Sequence, residues 1–363
     1  MIPYLIPLTV SFFYATLNFN KKHVYSPFLL GSIFFLFVLL VAFTDGNGLD
    51  WYGSDETEGY AMVDYRALGF EELIRYEPGF ILVNIILGNF HLFLFVMSII
   101  CFLLVWDVIK RNCSYKYIGL FVYIATMTLY CYMGVYRHAI AQTILIYSWN
   151  YIDDKKKLSI IILLACLFHY SAAVAFLYFL IPQKSYFSRK ICLLLFLLAI
   201  IIRPVVQPLM AWLLALTSFL LPGQTAGKIN LYMNGDEVGS GISIPLLIFK
   251  LFVFICAFFY LKTRKTKINC FLVNAYFISI ILYITITIAP TFARLVHYFS
   301  CTIILLIPIT IDRMKDTSKA KRSNGAFIPV FYFFAIVVLH YYIYIKTILD
   351  FSDVYLPYKS ILF

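Results

Sequence analysis

The sequence predicts an all-α membrane protein, a polytopic helical bundle of about 12 membrane segments, and three observations carry that prediction. Of its 363 residues, 63% are hydrophobic and 13% charged, whereas a soluble domain averages roughly 45–50% apolar and about 25% charged. Several apolar runs reach the roughly 20 residues that a helix needs to cross a bilayer. Short basic clusters separate those runs, and such clusters mark cytoplasmic loops. A transmembrane barrel would instead alternate polar and apolar residues within short segments. Residues 1–363 therefore read as a single integral membrane domain.

The net charge of +11 does not point to nucleic acid. Of the 29 Lys and Arg, 20 fall in clusters between apolar runs: 21–22, 110–116, 155–157, 184–190, 262–267 and 313–322. The basic balance is topology, and no nucleic-acid partner is expected. The eight Cys lie mostly inside apolar runs without a C-x-x-C pair, so neither a disulfide framework nor a zinc site is indicated.

Residues 2–19 form a first span, read as a retained helix because it lacks a basic n-region and a small-residue cleavage site. It ends inside at Lys21 and Lys22, and residues 27–44 return outward. Loop 45–79 holds nine of the 18 acidic residues against Arg66 and Arg75, so the charge rule places it outside. Connections of this length are functional or disordered, and its aromatic residues favour order. Residues 79–90 make a short apolar piece broken at Gly88-Asn89, lying along the outer interface. Span 91–109 runs inward and 117–136 outward, which puts Arg137 at an outer turn before residues 138–152 return to Asp153–Lys157.

Residues 158–182 carry positive clusters at both ends. A single crossing would place Lys184, Arg189 and Lys190 outside, against the charge rule, while two arms of about 12 residues are each too short to span. A re-entrant or strongly bent pair with His169 near its turn is the favoured reading, since such backbone is tolerated where it is buried or lines a cavity. Residues 191–222 lead outward with a break or kink expected at Arg203-Pro204, and 223–243 form a second outer loop. Spans 244–261, 270–289, 291–311 and 325–345 complete the chain, with both termini outside.

An ionisable side chain near the bilayer centre costs on the order of 2.5–3.5 kcal/mol on insertion scales, so Arg137, His138 and His169 need an explanation. Arg137 either snorkels to anchor a helix end or serves as a fixed cation for phosphate, which its planar fork binds bidentately. Nothing acidic lies near it in sequence. Arg294, at an outer helix start after Pro290, has the same two readings; unpaired backbone N–H groups there favour anions. His297 and Tyr298 share its face at i+3 and i+4.

His169 is either a hydrogen-bonded packing residue or a proton-transfer group, a task that suits neutral imidazole. His138 and His297 are weaker instances, while His91 and His340 read as packing. Among the outer-loop acids, Asp55, Glu56 and Glu58 read as solvated surface. Asp50 in GLDWYG and Glu77 in YEPGF sit among aromatics and turn residues, where a desolvated carboxylate can act as general base. No His, Cys or Asp grouping has metal-ligand spacing, and no phosphate-binding glycine motif or nucleophile elbow occurs. No metal or cofactor is expected.

Five short pieces in order resemble the EpsG/Wzy group of bacterial polysaccharide polymerases. They are GLDWYG…YEPGF, YRHAIAQTILIYSWNYI…KKK, ACLFHYSA, RLVHYF and the tail LPYKSILF. His138 stands where that group usually has Gln, and Thr44-Asp45-Gly46 stands where an Arg often precedes the G-x-D element. The resemblance implies a GT-C-like glycosyltransferase in the bacterial cytoplasmic (inner) membrane, with its active site on the outer, periplasmic side. Its substrate would be an undecaprenyl-diphosphate-linked oligosaccharide. The growing chain would pass from its carrier to the next lipid-linked unit, building O-antigen or exopolysaccharide.

In that scheme Arg137 and Arg294 would neutralise the diphosphate, and His169, Asp50 or Glu77 would orient or deprotonate the acceptor hydroxyl. His138, Tyr52, His297, Tyr298 and Tyr358 would bind substrate. Membrane lipids and a chain-length regulator would be partners. The competing class is a lipid-linked oligosaccharide flippase or exporter, but no internal repeat of the transporter kind is visible, and polar residues gather on the outer side. A related O-antigen ligase would share the outer-loop plan.

Overall fold

The computed structural model describes the chain except residues 23–25, 49–50, 52, 55–56, 59–62, 68–75, 221–241, 288–289, 321–326 and 363. Asp50, Tyr52, Asp55 and Glu56, and loop 223–243 up to residue 241, therefore lie outside the described residues. Among the described residues, six segments are long and apolar enough to cross a membrane: Ile2–Asn20, Phe90–Asn112, Ile244–Leu261, Lys267–Ile286, Arg294–Ser318 and Phe327–Asp350. Four shorter apolar helices accompany them. A helical membrane bundle is thus what the composition builds. Among the described residues, extended pairing is confined to Gly53–Ser54 against Thr57–Glu58 in loop 45–79 and a single bridge from Thr44 to Ser360.

The chain groups into two compact units, one of Met1–Phe176 with Ile304–Phe363 and one of Leu177–Ile303. In the first unit, α1 (Ile2–Asn20) and α2 (Pro27–Ala42) each begin with Pro in the first turn, where its missing N–H has no helical partner to lose. Asn18 Oδ1 accepts from Tyr117 N at 3.0 Å, and the Tyr117 hydroxyl donates to Ser26 O at 2.9 Å. The α1–α2 turn is thereby fixed to the start of α5 (Lys116–Met127). Helix α3 (Pro78–Leu87) stops at Gly88, which adopts φ 65°, a left-handed conformation open to glycine. Asn89 then caps α4 (Phe90–Asn112) by accepting from Leu92 N at 3.0 Å.

After α5 the backbone widens into a π turn, Thr128–Tyr132, before α6 (Tyr136–Ser148). Residues 117–136 are consequently not one helix. Such turns are frequent at functional sites, and this one ends five residues before Arg137. Helix α7 (Lys155–Cys166) is capped by Asp154, which accepts from Lys157 N at 3.1 Å. It ends at Leu167, and a 3₁₀ helix runs over Tyr170–Leu180. The division falls at His169, so 158–182 is not one continuous α-helix.

In the second unit, α8 (Arg189–Leu220) continues through Pro204 and Pro208, where the sequence predicts a break or kink at Arg203-Pro204. Membrane helices tolerate proline because neighbouring groups satisfy the freed backbone. Arg203 Nη1 also donates to Ile284 O at 2.6 Å, which ties this part of α8 to a neighbouring helix. Helix α9 (Ile244–Leu261), α10 (Lys267–Ile286) and α11 (Pro290–Ser300) complete the unit, with α10 packed against the other three.

Helices α12 (Ile303–Ala320), α13 (Phe327–Asp350) and α14 (Ser352–Tyr355) lead back into the first unit. The tail then crosses the start of loop 45–79. Asn47 Nδ2 donates to Val354 O and Pro357 O at 3.2 and 3.1 Å, and Asn47 Oδ1 accepts from Lys359 N at 2.6 Å. Gly48, at φ 135°, passes so close to Met133 that a Cβ would lie 2.1 Å from its carbonyl oxygen. The loop's first residues are therefore held by the tail and by the backbone that follows the π turn.

Candidate active site

Glu77 is the residue on which the site is built. It is the N-cap of α3, where a carboxylate meets the positive end of the helix dipole. Its side chain is only 3% exposed, against 15% for Arg137 and 14% for His169. Arg137 Nη1 donates to Glu77 Oε2 at 2.5 Å. Glu77 Oε1 lies 2.7 Å from His169 Nδ1 and accepts from Tyr170 N at 3.3 Å. One buried carboxylate thus collects an arginine, a histidine and the backbone N–H that opens the 3₁₀ helix.

Burial alone pushes the Glu77 carboxyl up, but the His169 hydrogen bond and the Arg137 and His169 charges outweigh it and hold the group below its ordinary value. It is ionised, and an ionised carboxylate can only accept. Nδ1 of His169 therefore carries the proton, and in a neutral ring the lone pair sits on Nε2. This tautomer lets Nε2 take a proton from a hydroxyl while Glu77 stabilises the imidazolium that results.

Local sequence explains the placement. Arg137 lies in the first turn of α6, where a cation faces the unfavourable end of a helix dipole, and Glu77 offsets that charge. The guanidinium stands 5.4 Å from the Tyr76 ring centroid and 5.9 Å from that of Phe80, so the aromatics flanking Glu77 also hold its partner. Gly79 N donates to Leu167 O at 2.8 Å. A Cβ on Gly79 would meet that oxygen at 2.8 Å and the Leu167 Cβ at 2.9 Å. Only glycine lets the start of α3 lie this close to the break that carries His169.

The structure joins three of the predicted catalytic residues, Glu77, Arg137 and His169, and corrects the reading of Arg137. Sequence shows no acid near it, yet it is half of a buried ion pair, because Glu77 reaches it from 60 positions away. His138 is buried beside them, its ring edge-on to His169 with centroids 5.7 Å apart. Tyr358 lies in the tail, its hydroxyl donating to Leu40 O at 3.3 Å. Asp50 and Tyr52 are outside the described residues.

Arg294, His297 and Tyr298 belong to α11 of the second unit. Tyr298 is fully buried there, and its carbonyl accepts from the Tyr178 hydroxyl at 2.5 Å. Sequence reasoning misses Gly79, the aromatic clamp of Tyr76 and Phe80, and the Tyr170 N–H. The YEPGF string is the one signal for the first two, since it sets aromatics and a glycine around a lone acid.

Fold and site together define a class: a multi-pass helical membrane protein with a buried carboxylate–arginine–histidine cluster. The sequence model of the EpsG family matches residues 7–360. The chain belongs to the EpsG family, and membership places it among polysaccharide polymerases of glycosyltransferase type. No curated protein and no solved structure matches it.

Proposed function

We propose that the protein polymerises undecaprenyl-diphosphate-linked repeat units into a surface polysaccharide, O-antigen or exopolysaccharide, at the outer face of the bacterial cytoplasmic membrane. Its architecture in this reading is GT-C-like, with about 12 membrane segments. The observation that carries the reading is the Glu77 carboxylate held between His169 and Arg137.

His169 Nε2 takes the proton of the acceptor hydroxyl as that oxygen bonds to the anomeric carbon of the growing chain. The bond from that carbon to the carrier diphosphate breaks, and the diphosphate keeps the electron pair. Glu77 fixes the imidazole tautomer, the part a carboxylate plays in hydrolase triads. Arg137 keeps Glu77 ionised and in place. The three groups are neutral in sum at rest and reach +1 when His169 is protonated. Positive charge thus appears as the leaving group becomes more negative, and such fixed charges act most strongly in a site that excludes water. For Arg294 of the second unit, the sequence motif alone supports a diphosphate-binding role.

The test is complementation of a deletion strain with Arg137→Ala, Arg294→Ala or His169→Ala, sizing surface glycan on gels and quantifying the protein in membranes. All three variants are expected to insert and to leave single-unit products without a ladder, since removing a general base costs about 10²–10⁴-fold. Full-length ladders from both arginine variants would refute the diphosphate role. A deletion strain that displays no units at all would favour the flippase reading.

A further inference from the structure

The second unit carries ionisable side chains that this mechanism does not use. Lys250 of α9 is 7% exposed, and its Nζ lies 5.8 and 5.5 Å from the ring centroids of Tyr276 and Tyr283 on α10. An ionisable group within a membrane span is costly and is by default a sign of function. Residues 177–303 contain just two acids, Asp236 and Glu237, both outside the described residues. Among the described residues of this unit, no carboxylate is available to balance Lys250. The two tyrosine faces attract the ammonium, but they do not neutralise it.

A second observation is independent of the first. Tyr276 is 1% exposed, and its hydroxyl has no hydrogen-bond partner among the described residues, an arrangement that folded proteins rarely leave unused. A buried ammonium and a phenol hydroxyl without a partner among the described residues together ask for a ligand that is anionic and rich in acceptor oxygens. A metal ion would be repelled, and a neutral sugar would leave the charge unbalanced.

We propose that Lys250 and Tyr276 form a binding site for a phosphate-type anion. Lys contributes a point charge with three rotatable donors and Tyr276 a directed O–H, a pairing suited to the terminal oxygens of a diphosphate. Naming a lipid-carrier headgroup as the source rests on the polymerase reading above, whereas the anion site itself does not.

The experiment uses the full-length protein purified in detergent, with farnesyl diphosphate, farnesol and inorganic pyrophosphate as probes in a direct binding assay. Lys250→Met is expected to weaken farnesyl diphosphate binding about tenfold or more, as loss of a charged hydrogen bond does. Lys250→Arg should recover most of it. Tyr276→Phe, which keeps the ring and its volume, should weaken it about threefold or more and carries the test if Lys250→Met does not fold. Farnesol binding should be the same in every variant.

Pyrophosphate that binds as tightly as farnesyl diphosphate would identify a free-phosphate site, and a marked preference for the farnesyl compound would identify a lipid headgroup. Unchanged farnesyl diphosphate binding in both Lys250→Met and Tyr276→Phe overturns the proposal. So does an equal loss in the Asp236→Asn/Glu237→Gln double variant, which would make the loop acids the partners of Lys250. A protein that binds the diphosphate through Lys250 yet elongates no glycan keeps this site while the polymerase reading fails.

Discussion

Glu77 commits its two carboxylate oxygens to different tasks, Oε2 to Arg137 and Oε1 to His169 and Tyr170 N. Removing one partner of a buried pair strands the other charge, at a cost of about 3–5 kcal/mol, whereas removing both costs less. Arg137→Ala is therefore expected to destabilise the protein more than Arg137→Ala/Glu77→Gln, measured as detergent-solubilised thermal unfolding. Equal loss in the two variants would show that the pair is not coupled. The same carboxyl sets a pH dependence. Because it is held below its ordinary value of 4.5, its stabilising contribution is complete above that value and is lost as pH falls through the lower folded one. Wild type should lose stability in acid more steeply than Glu77→Gln, and parallel profiles would remove Glu77 from the linkage. Each member of this cluster is legible in sequence, because an ionisable group in an apolar setting stands out. Their union is not, since 60 and 92 positions separate Glu77 from Arg137 and His169 and no local pattern reports a contact of that range.

Among the elements, the breaks matter more than the helices. The Gly88-Asn89 stop is legible because its chemistry is local: a left-handed glycine followed by a capping asparagine. Of the break or kink expected at Pro204, the break is absent, since α8 continues through it. Conversely, the π turn at Thr128–Tyr132 has no sequence signature, and Tyr132 is held there by hydrogen bonds with Tyr123 and Thr143. The contact that positions the site is between two elements, where Gly79 at the start of α3 touches Leu167 at the end of α7. Gly79→Ala forces a Cβ onto that carbonyl, at a cost of about 1–3 kcal/mol for overpacking, and shifts His169 away from Glu77. A displacement near 1 Å can reduce catalysis about 10²-fold, so glycan elongation should fall far more than protein abundance. Gly31→Ala, where a Cβ meets nothing within 4 Å, is the control and should change neither. Equal elongation by the two variants would show that the close approach does not set the catalytic geometry.

For the whole molecule, composition settles the environment and charge settles the expected direction of threading. That long apolar helices build the bundle follows from hydropathy alone, although six segments among the described residues are long enough to cross a membrane where the sequence suggests about 12, whereas the grouping into two units depends on packing between distant segments and leaves no trace in any window of sequence. Sidedness is the property on which the proposed chemistry depends, because a site for lipid-linked sugars at the outer face needs loop 45–79 outside. The acids gathered in that loop and the lysines at 155–157 predict opposite sides, since positive residues are retained in the cytoplasm. Ala67→Cys and Lys156→Cys report on the two regions, as both positions are exposed. In intact cells a membrane-impermeant maleimide should label Ala67→Cys and leave Lys156→Cys unmodified until the membrane is opened. The native cysteines contribute little background, since five of the eight are buried and the other three half-buried. The reverse pattern would place Glu77, at the end of the same loop, on the cytoplasmic side and rule out transfer at the outer face. Labelling of both positions in intact cells would show that charge does not set the threading of the first half of the chain.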